Sequence, residues 1–206
     1  MSITTYAELQ SSIADWLLRD DLTSVIPTFI SLAEAKFNRR IRDYRMVKRA
    51  TAQVDTAYFA IPSDWQEKVR FQINTSPITT LEYVTPDQAA EEKRLYKSSG
   101  RPAFFTMIGD EFQIVPAPDS TYNAELTYYS KIPALSASNT SNWLLTKAPD
   151  IYLYGALMEA APYLDDAEKL NTWGGLLEQS MQALRVEGER AAIGSSSLRM
   201  RAQPMG

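Results

Sequence analysis

The sequence predicts an α+β fold: a helical bundle made from the N- and C-terminal helices, an inserted antiparallel β-rich middle, and an extended C-terminal tail. The spacing of apolar residues, which changes twice along the chain, supports this prediction. Apolar residues recur at helical spacing towards both ends of the chain, whereas in the middle they alternate with the period of two that strands require. With 206 residues, 45% of them hydrophobic, the chain is long enough to bury a sizeable core. We expect a single domain over 1–193, helical at 1–49 and 148–193 and β-rich at 50–147, followed by a flexible docking tail at 194–206.

Two helices are predicted at the start of the chain. Thr5 and Glu8 have the spacing of a capping box, and apolar residues then follow on one helical face. The second helix begins near Pro27, because a proline in the first turn costs no hydrogen bond. Its apolar stripe, which we expect to lie in the core, comprises Ile26, Ile30, Ala33, Phe37, Ile41 and Tyr44.

The middle of the chain predicts several short strands separated by turn residues. Thr85, Pro86 and Gln88 predict a brief helix with its own capping box. Gly109-Asp110 predicts a two-residue hairpin loop of type II′. The predicted strands cover 51–54, 58–61, 68–73, 79–84, 103–108, 111–115 and 124–129.

Two further apolar stripes predict helices after Pro149. We expect Pro162 to end or kink the first of them, since an interior proline removes a backbone hydrogen bond. Gly174-Gly175 lies within the second stripe, where each glycine costs about 1 kcal/mol relative to alanine. We therefore expect a kink there, or another helix packed close by.

The composition argues against an enzyme, a metal site or a bound cofactor. The chain contains no histidine and no cysteine, so the most common acid–base group, the thiolate nucleophile and the usual zinc ligands are all missing. The paired carboxylates Asp20-Asp21, Glu91-Glu92 and Asp165-Asp166 are interpreted as solvated polar residues, because adjacent side chains on a helix point in different directions. We find no catalytic constellation and no glycine-rich phosphate loop.

Compartment and charge follow from the same composition. No apolar run approaches the roughly 20 residues that a membrane-spanning helix requires, and residues 1–5 do not resemble a signal peptide, so we expect synthesis in a cytoplasm. The net charge is −4, yet cations are concentrated between residues 36 and 49. We call six of these cations the basic belt: Lys36, Arg39, Arg40, Arg42, Arg45 and Arg49. The belt predicts either a polyanionic or acidic partner, or a solvated face held in ion pairs.

Several phrases, in their order along the chain, carry a family resemblance. They are TYAEL at 5–9, IPTFI at 26–30, NRRIR at 38–42, IPSDW at 61–65, GRP at 100–102, YYSKIPALS at 128–136 and PDIYLYGAL at 149–157. Together they resemble the head-to-tail adaptor (connector) proteins of tailed bacteriophages, and the similarity runs nearly from end to end.

The resemblance implies a structural protein of the virion neck, made in the host cytoplasm. Such adaptors form a ring, commonly of twelve copies, between the capsid portal and the tail nozzle or tube protein, and they extend the channel through which packaged DNA passes without sequence-specific binding. The C-terminal segment of such adaptors reaches up to the portal. Here that segment carries alternating apolar and cationic residues suited to a sheet edge or groove, which makes Leu198, Arg199, Met200 and Arg201 the predicted portal-docking residues.

An alternative function is a nucleic-acid-binding module that uses the basic stretch 36–49. The acidic net charge counts against it, because phosphate binding usually dominates the charge of such proteins. The sequence leaves open whether the basic belt meets DNA, the portal or a neighbouring copy. It predicts no membrane partner.

Overall fold

The structure, a computed structural model, describes residues 3–95 and 99–193. The chain folds into two compact units. The helical unit combines Met1–Tyr44 with Ile132–Gly206, and the β unit comprises Arg45–Lys131. The predicted α+β fold is confirmed.

The described residues form the following elements. The helices are α1 (Tyr6–Leu17), α2 (Ile26–Arg40), α3 (Pro86–Leu95), α4 (Trp143–Lys147), α5 (Pro149–Tyr163) and α6 (Ala167–Ile193), with a 3-10 turn at Tyr44–Met46. The strands are β1 (Val47–Val54), β2 (Tyr58–Ala60), β3 (Trp65–Ile73), β4 (Thr79–Thr80), β5 (Glu82–Tyr83), β6 (Phe104–Ile108), β7 (Glu111–Val115) and β8 (Tyr122–Ser130).

Helix α5 is the centre of the helical unit, where it packs against α1, α2, α4 and α6. It is apolar around most of its circumference, which is the pattern of a helix buried on all sides. Phe37 of α2 lies against Gly155 of α5, and a Cβ atom at position 155 would lie 2.8 Å from the Phe37 Cε1 atom. Only glycine therefore allows these two helices to approach so closely.

The helix starts predicted from the sequence are confirmed. The Thr5 hydroxyl accepts a hydrogen bond from the Glu8 N–H (3.3 Å), and the Glu8 carboxylate accepts one from the Thr5 N–H (3.0 Å). Pro27 lies in the first turn of α2, and Phe37 is only 1% exposed. Pro162 lies in the last turn of α5, so the helix ends beside it as predicted.

One prediction about the helical unit is wrong, and another is confirmed in part. Tyr44 does not belong to the buried stripe, because α2 ends at Arg40 and the Tyr44 side chain is 45% exposed. Helix α6 continues through Gly174-Gly175, and α5 packs beside the first of these glycines: a Cβ atom at Gly174 would lie 4.0 Å from the Met158 Sδ atom, whereas one at Gly175 would have nothing within 4 Å among the described residues. A tighter approach of two helices occurs at Gly155.

The β unit contains two four-stranded sheets around one aromatic core. Their strand orders are β1-β8-β3-β4 and β2-β7-β6-β5, and every pairing is antiparallel except the parallel pair β5–β6. Phe71 of the first sheet contacts Phe105 and Phe112 of the second, with ring centroids 5.1 Å and 5.6 Å apart. Edge-to-face and tilted ring pairs of this kind add to the stability gained by burial.

Local signals in the β unit are confirmed, but one predicted strand divides. Gly109 has a φ of +60°, and Ile108 pairs with Glu111, which makes the two-residue loop expected there. The segment 79–84 is not one strand: β4 pairs with β3 in the first sheet, whereas β5 pairs with β6 in the second. The buried Leu81 lies where the chain crosses between the sheets.

Candidate interaction surfaces

The basic belt is divided between the two units. Lys36, Arg39, Arg40 and Arg42 belong to the helical unit, whereas Arg45 and Arg49 belong to the β unit. Lys36 forms an ion pair with Glu159, and Arg40 forms one with Glu178. Arg49 lies 3.6 Å from the Glu125 carboxylate. Half of the belt is thus neutralised by carboxylates of its own unit, which favours the solvated, ion-paired interpretation for these three residues.

The arginines at the end of α2 differ from their neighbours. The Arg42 guanidinium donates hydrogen bonds to the backbone carbonyls of Asn38 (2.9 Å) and Ile41 (2.7 Å). Arg39 is exposed and has no hydrogen-bond or ion-pair partner among residues 3–95 and 99–193. Its charge is therefore available to another molecule.

The segment that precedes β3 fixes the end of the first sheet. The Asp64 carboxylate accepts hydrogen bonds from Lys48 Nζ (2.7 Å) and the Tyr128 hydroxyl (2.8 Å), and Trp65 stacks on Tyr128 with ring centroids 5.5 Å apart. Burial opposes the ionisation of Asp64, but the hydrogen bonds from Lys48 and Tyr128 outweigh it and lower its pKa. Burial, together with Asp64, raises the pKa of Tyr128 to about 12. The IPSDW phrase is thus a structural clamp that ties β1, β3 and β8 together.

A second carboxylate is buried in the helical unit. Glu34 of α2 is 7% exposed, and its Oε1 atom accepts hydrogen bonds from the Leu135 N–H (2.8 Å) and the Tyr152 hydroxyl (3.0 Å). The Asn142 side-chain amide in turn donates to the Tyr152 oxygen (2.6 Å). Burial raises the pKa of Glu34, since the donors described around it carry no charge. This network holds the segment before α4 against α2, and the sequence gives no sign of it because a glutamate within a helix usually faces solvent.

One carboxylate of each adjacent pair forms an ordinary surface ion pair. Asp21 pairs with Arg19, Glu91 with Arg94, and Asp166 with Lys169. In residues 3–95 and 99–193 no group of three acidic residues is arranged to hold a metal ion. Within the same ranges no helix is both long and apolar enough to cross a membrane.

An exposed apolar surface at one end of the helical unit was missed by the sequence analysis. Leu18 follows α1 with a φ of +54° and is 89% exposed, while Tyr163 is 59% exposed. Trp16, which is 48% exposed, packs its ring against Tyr154 instead, with centroids 5.9 Å apart. The Arg19 guanidinium hydrogen-bonds to Asp21 and lies near the Tyr163 hydroxyl, and both raise its pKa. Tyr163 therefore lies beside the α1–α2 loop. The pair Leu17-Leu18 gives only a weak signal in the sequence, since either residue continues the apolar stripe.

The predicted portal-docking residues Leu198, Arg199, Met200 and Arg201 lie outside the described residues. A family model described as SU10 adaptor protein matches residues 4–201. The match includes both units and the four predicted portal-docking residues. A search of curated proteins finds no match.

Proposed function

Because the chain belongs to the SU10 adaptor protein family, the head-to-tail adaptors of tailed bacteriophages, we propose that it forms a ring, of twelve copies as is common in such adaptors, between the capsid portal and the tail nozzle. The family match is the observation that carries this proposal, because it covers nearly the whole chain and both units. An adaptor is a structural component of the virion neck that joins portal and tail proteins and associates with copies of itself. The ring would extend the DNA channel below the portal.

Oligomerisation is expected to depend on the portal. Each unit closes its own core, so the isolated chain does not need a partner in order to fold. We expect light scattering of the purified protein to give a monomer or a weak association. A stable dimer of twofold symmetry would contradict a head-to-tail ring.

The segment 194–206 is proposed to dock on the portal. Leu198 and Met200 provide apolar anchors, and Arg199 and Arg201 favour an acidic surface. Deleting 194–206 should leave the unfolding midpoint nearly unchanged and strongly weaken binding to purified portal rings in co-sedimentation. Added salt should also weaken binding of the full chain, since part of the attraction is ionic. A truncated chain that still saturates the portal would remove this segment from the mechanism.

A nucleic-acid-binding module is the competing function. The net charge of −4 and the ion pairs that engage Lys36, Arg40 and Arg49 count against it. A gel-shift or fluorescence titration of the isolated chain with duplex DNA separates the two functions. The adaptor is expected to show no salt-sensitive binding at physiological ionic strength, and a steep salt dependence would support the competing function.

A further inference from the structure

Two surfaces of the helical unit are complementary. The apolar end comprises Leu18 and Tyr163, and it lies at the N-terminal end of α2, where Tyr163 contacts Phe29 with ring centroids 5.5 Å apart. The arginine end comprises Arg39, Arg42 and Tyr44, at and just beyond the C-terminal end of the same helix. Helix α2 has 15 residues and is therefore about 22 Å long, which separates the two ends.

The apolar end has the features of an interface. Leu18 and Tyr163 are 89% and 59% exposed, and exposed apolar surface on soluble proteins commonly marks interaction sites. Within the described residues, the non-glycine residues with a left-handed backbone are Leu18 and Asp165, and both lie in the turns that form this end. Strained backbone of this kind is concentrated at functional surfaces.

The charges around the apolar end indicate which surface binds to it. Three aspartates around the apolar end, Asp15, Asp20 and Asp165, have no cationic partner among residues 3–95 and 99–193. The arginine end offers the opposite charge through Arg39, with the exposed ring of Tyr44 as an apolar surface nearby in sequence. An acidic, apolar surface and a basic surface on the same molecule fit each other when one copy follows the next.

We propose that the apolar end of one copy binds the arginine end of the next copy, so that the basic belt meets a neighbouring subunit. This contact is heterologous, and a heterologous contact closes into a ring when the rotation between copies permits. The inference rests on the proposed function, in which copies of this chain form a ring. It assigns the contact to particular residues, and it assigns Arg39 to protein rather than to DNA.

Cross-linking tests the pairing directly, because the chain has no native cysteine. Ser24 lies in the exposed loop before α2, and Ala35 is exposed one turn before Arg39, so Ser24→Cys and Ala35→Cys report on the two ends without removing a contact residue. In the presence of portal rings, on which oligomerisation is expected to depend, a short bis-maleimide should join a mixture of the two proteins as a heterodimer. Each protein alone should give little product. Efficient Ser24→Cys homodimers, or no product from any pair with or without portal rings, would overturn the inference.

Substitutions in the contact then show whether these residues cause the pairing. Leu18→Asp, made in the Ser24→Cys protein, should reduce heterodimer yield by about tenfold or more, as expected for an interface anchor. Leu95→Asp is the matched control, since Leu95 is an exposed leucine of the β unit. Equal loss in both variants would overturn the inference.

Charge reversal provides a second test that does not depend on apolar packing. Arg39→Glu in the Ala35→Cys protein should weaken pairing with the normal partner, and a partner carrying Asp20→Arg and Asp165→Arg should restore it. Arg94→Glu, on the β unit, should have no effect. Failure of the restoration would overturn the pairing of these charges.

Portal binding, measured in parallel by co-sedimentation, distinguishes failure of this inference from failure of the proposed function. A chain that binds portal without the 24–35 cross-link contradicts this inference alone, whereas a chain that binds no portal contradicts the proposed function.

Discussion

The helical unit and the β unit hold a carboxylate in opposite ways. Glu34 lies in the helical core, where the described donors are neutral and burial raises its pKa. Asp64 lies at the end of a sheet beside the Lys48 ammonium, and there the hydrogen bonds that it accepts outweigh burial and lower its pKa. A carboxylate in a core with neutral donors is thus shifted towards its protonated form, and one beside an ammonium group is shifted towards its ionised form.

The opposite shifts give the contributions of Glu34 and Asp64 to stability opposite pH dependences. The raised pKa of Glu34 contributes stability that is present below its unfolded pKa and is lost as the pH rises through the folded pKa. The lowered pKa of Asp64 contributes stability that is present above its unfolded pKa and is lost as the pH falls through the folded pKa. Mild acid should therefore strengthen the contribution of Glu34 to the helical unit, and stronger acid should remove the contribution of Asp64 to the β unit.

The largest expected effect tests whether the units are stabilised separately. Phe37→Ala removes a buried ring from the helical core and should lower the free energy of unfolding by about 3–5 kcal/mol in urea denaturation. Hydrogen exchange should accelerate in α2 and α5 far more than in β7 and β8, and Phe112→Ala should give the reverse pattern. Equal acceleration in both units would show that they unfold together and are not stabilised separately.

The Asp64 clamp should have the next largest effect. Asp64→Ala leaves the Lys48 ammonium and the Tyr128 hydroxyl without this acceptor, and it should destabilise the β unit by about 1–3 kcal/mol at neutral pH. The loss should shrink as the pH falls through the lowered pKa of Asp64, where the carboxylate itself becomes protonated. Asp55→Ala is the control, because Asp55 is an exposed aspartate of the same unit. Thermal unfolding across the pH range measures both variants.

Removing the Glu34 charge should alter the pH profile more than the stability. Glu34→Gln keeps an oxygen acceptor for Leu135 and Tyr152 but cannot ionise, so exchange protection of α2 should no longer decline as the pH rises above about 4. Glu168→Gln, an exposed residue in the first turn of α6, should leave that decline in place. A Glu34→Gln profile parallel to that of the unmodified chain would show that Glu34 does not cause the decline.

The smallest effect is expected at the surface of α2. Arg39→Ala and Arg42→Ala should each change monomer stability by about 0.5 kcal/mol or less, as is usual for exposed positions. The same urea denaturation measures them beside Phe37→Ala. If an arginine substitution unfolds the monomer while Phe37→Ala is tolerated, the buried and exposed faces have been assigned the wrong way round.

Local signals predicted most of the fold, and long-range contacts explain what they missed. The capping boxes at Thr5 and Thr85 and the hairpin at Gly109 each depend on a few adjacent residues, so the sequence is sufficient to predict them. The division of 79–84 depends on which sheet each strand pairs with, and the small size of Gly155 matters only because Phe37 lies against it. The spacing of apolar residues along the chain cannot reveal either of these long-range contacts.

The interaction surfaces were predicted in part for a similar reason. The sequence identifies the basic belt by counting charges, but it cannot show that Glu159, Glu178 and Glu125 fold back onto three of its members. It also cannot show that the turns containing Leu18 and Asp165 form one end of the helical unit. The residues 198–201 are predicted from their pattern and their family resemblance, and their role stays a prediction.

Electron microscopy of the purified chain mixed with its portal tests the central claim most directly. We expect a ring of copies attached below the portal and continuous with its channel. In that ring the apolar end of each copy should lie against the arginine end of the next. Portal particles that stay bare at saturating concentrations of the full chain, while controls with another neck protein are decorated, would contradict an adaptor function.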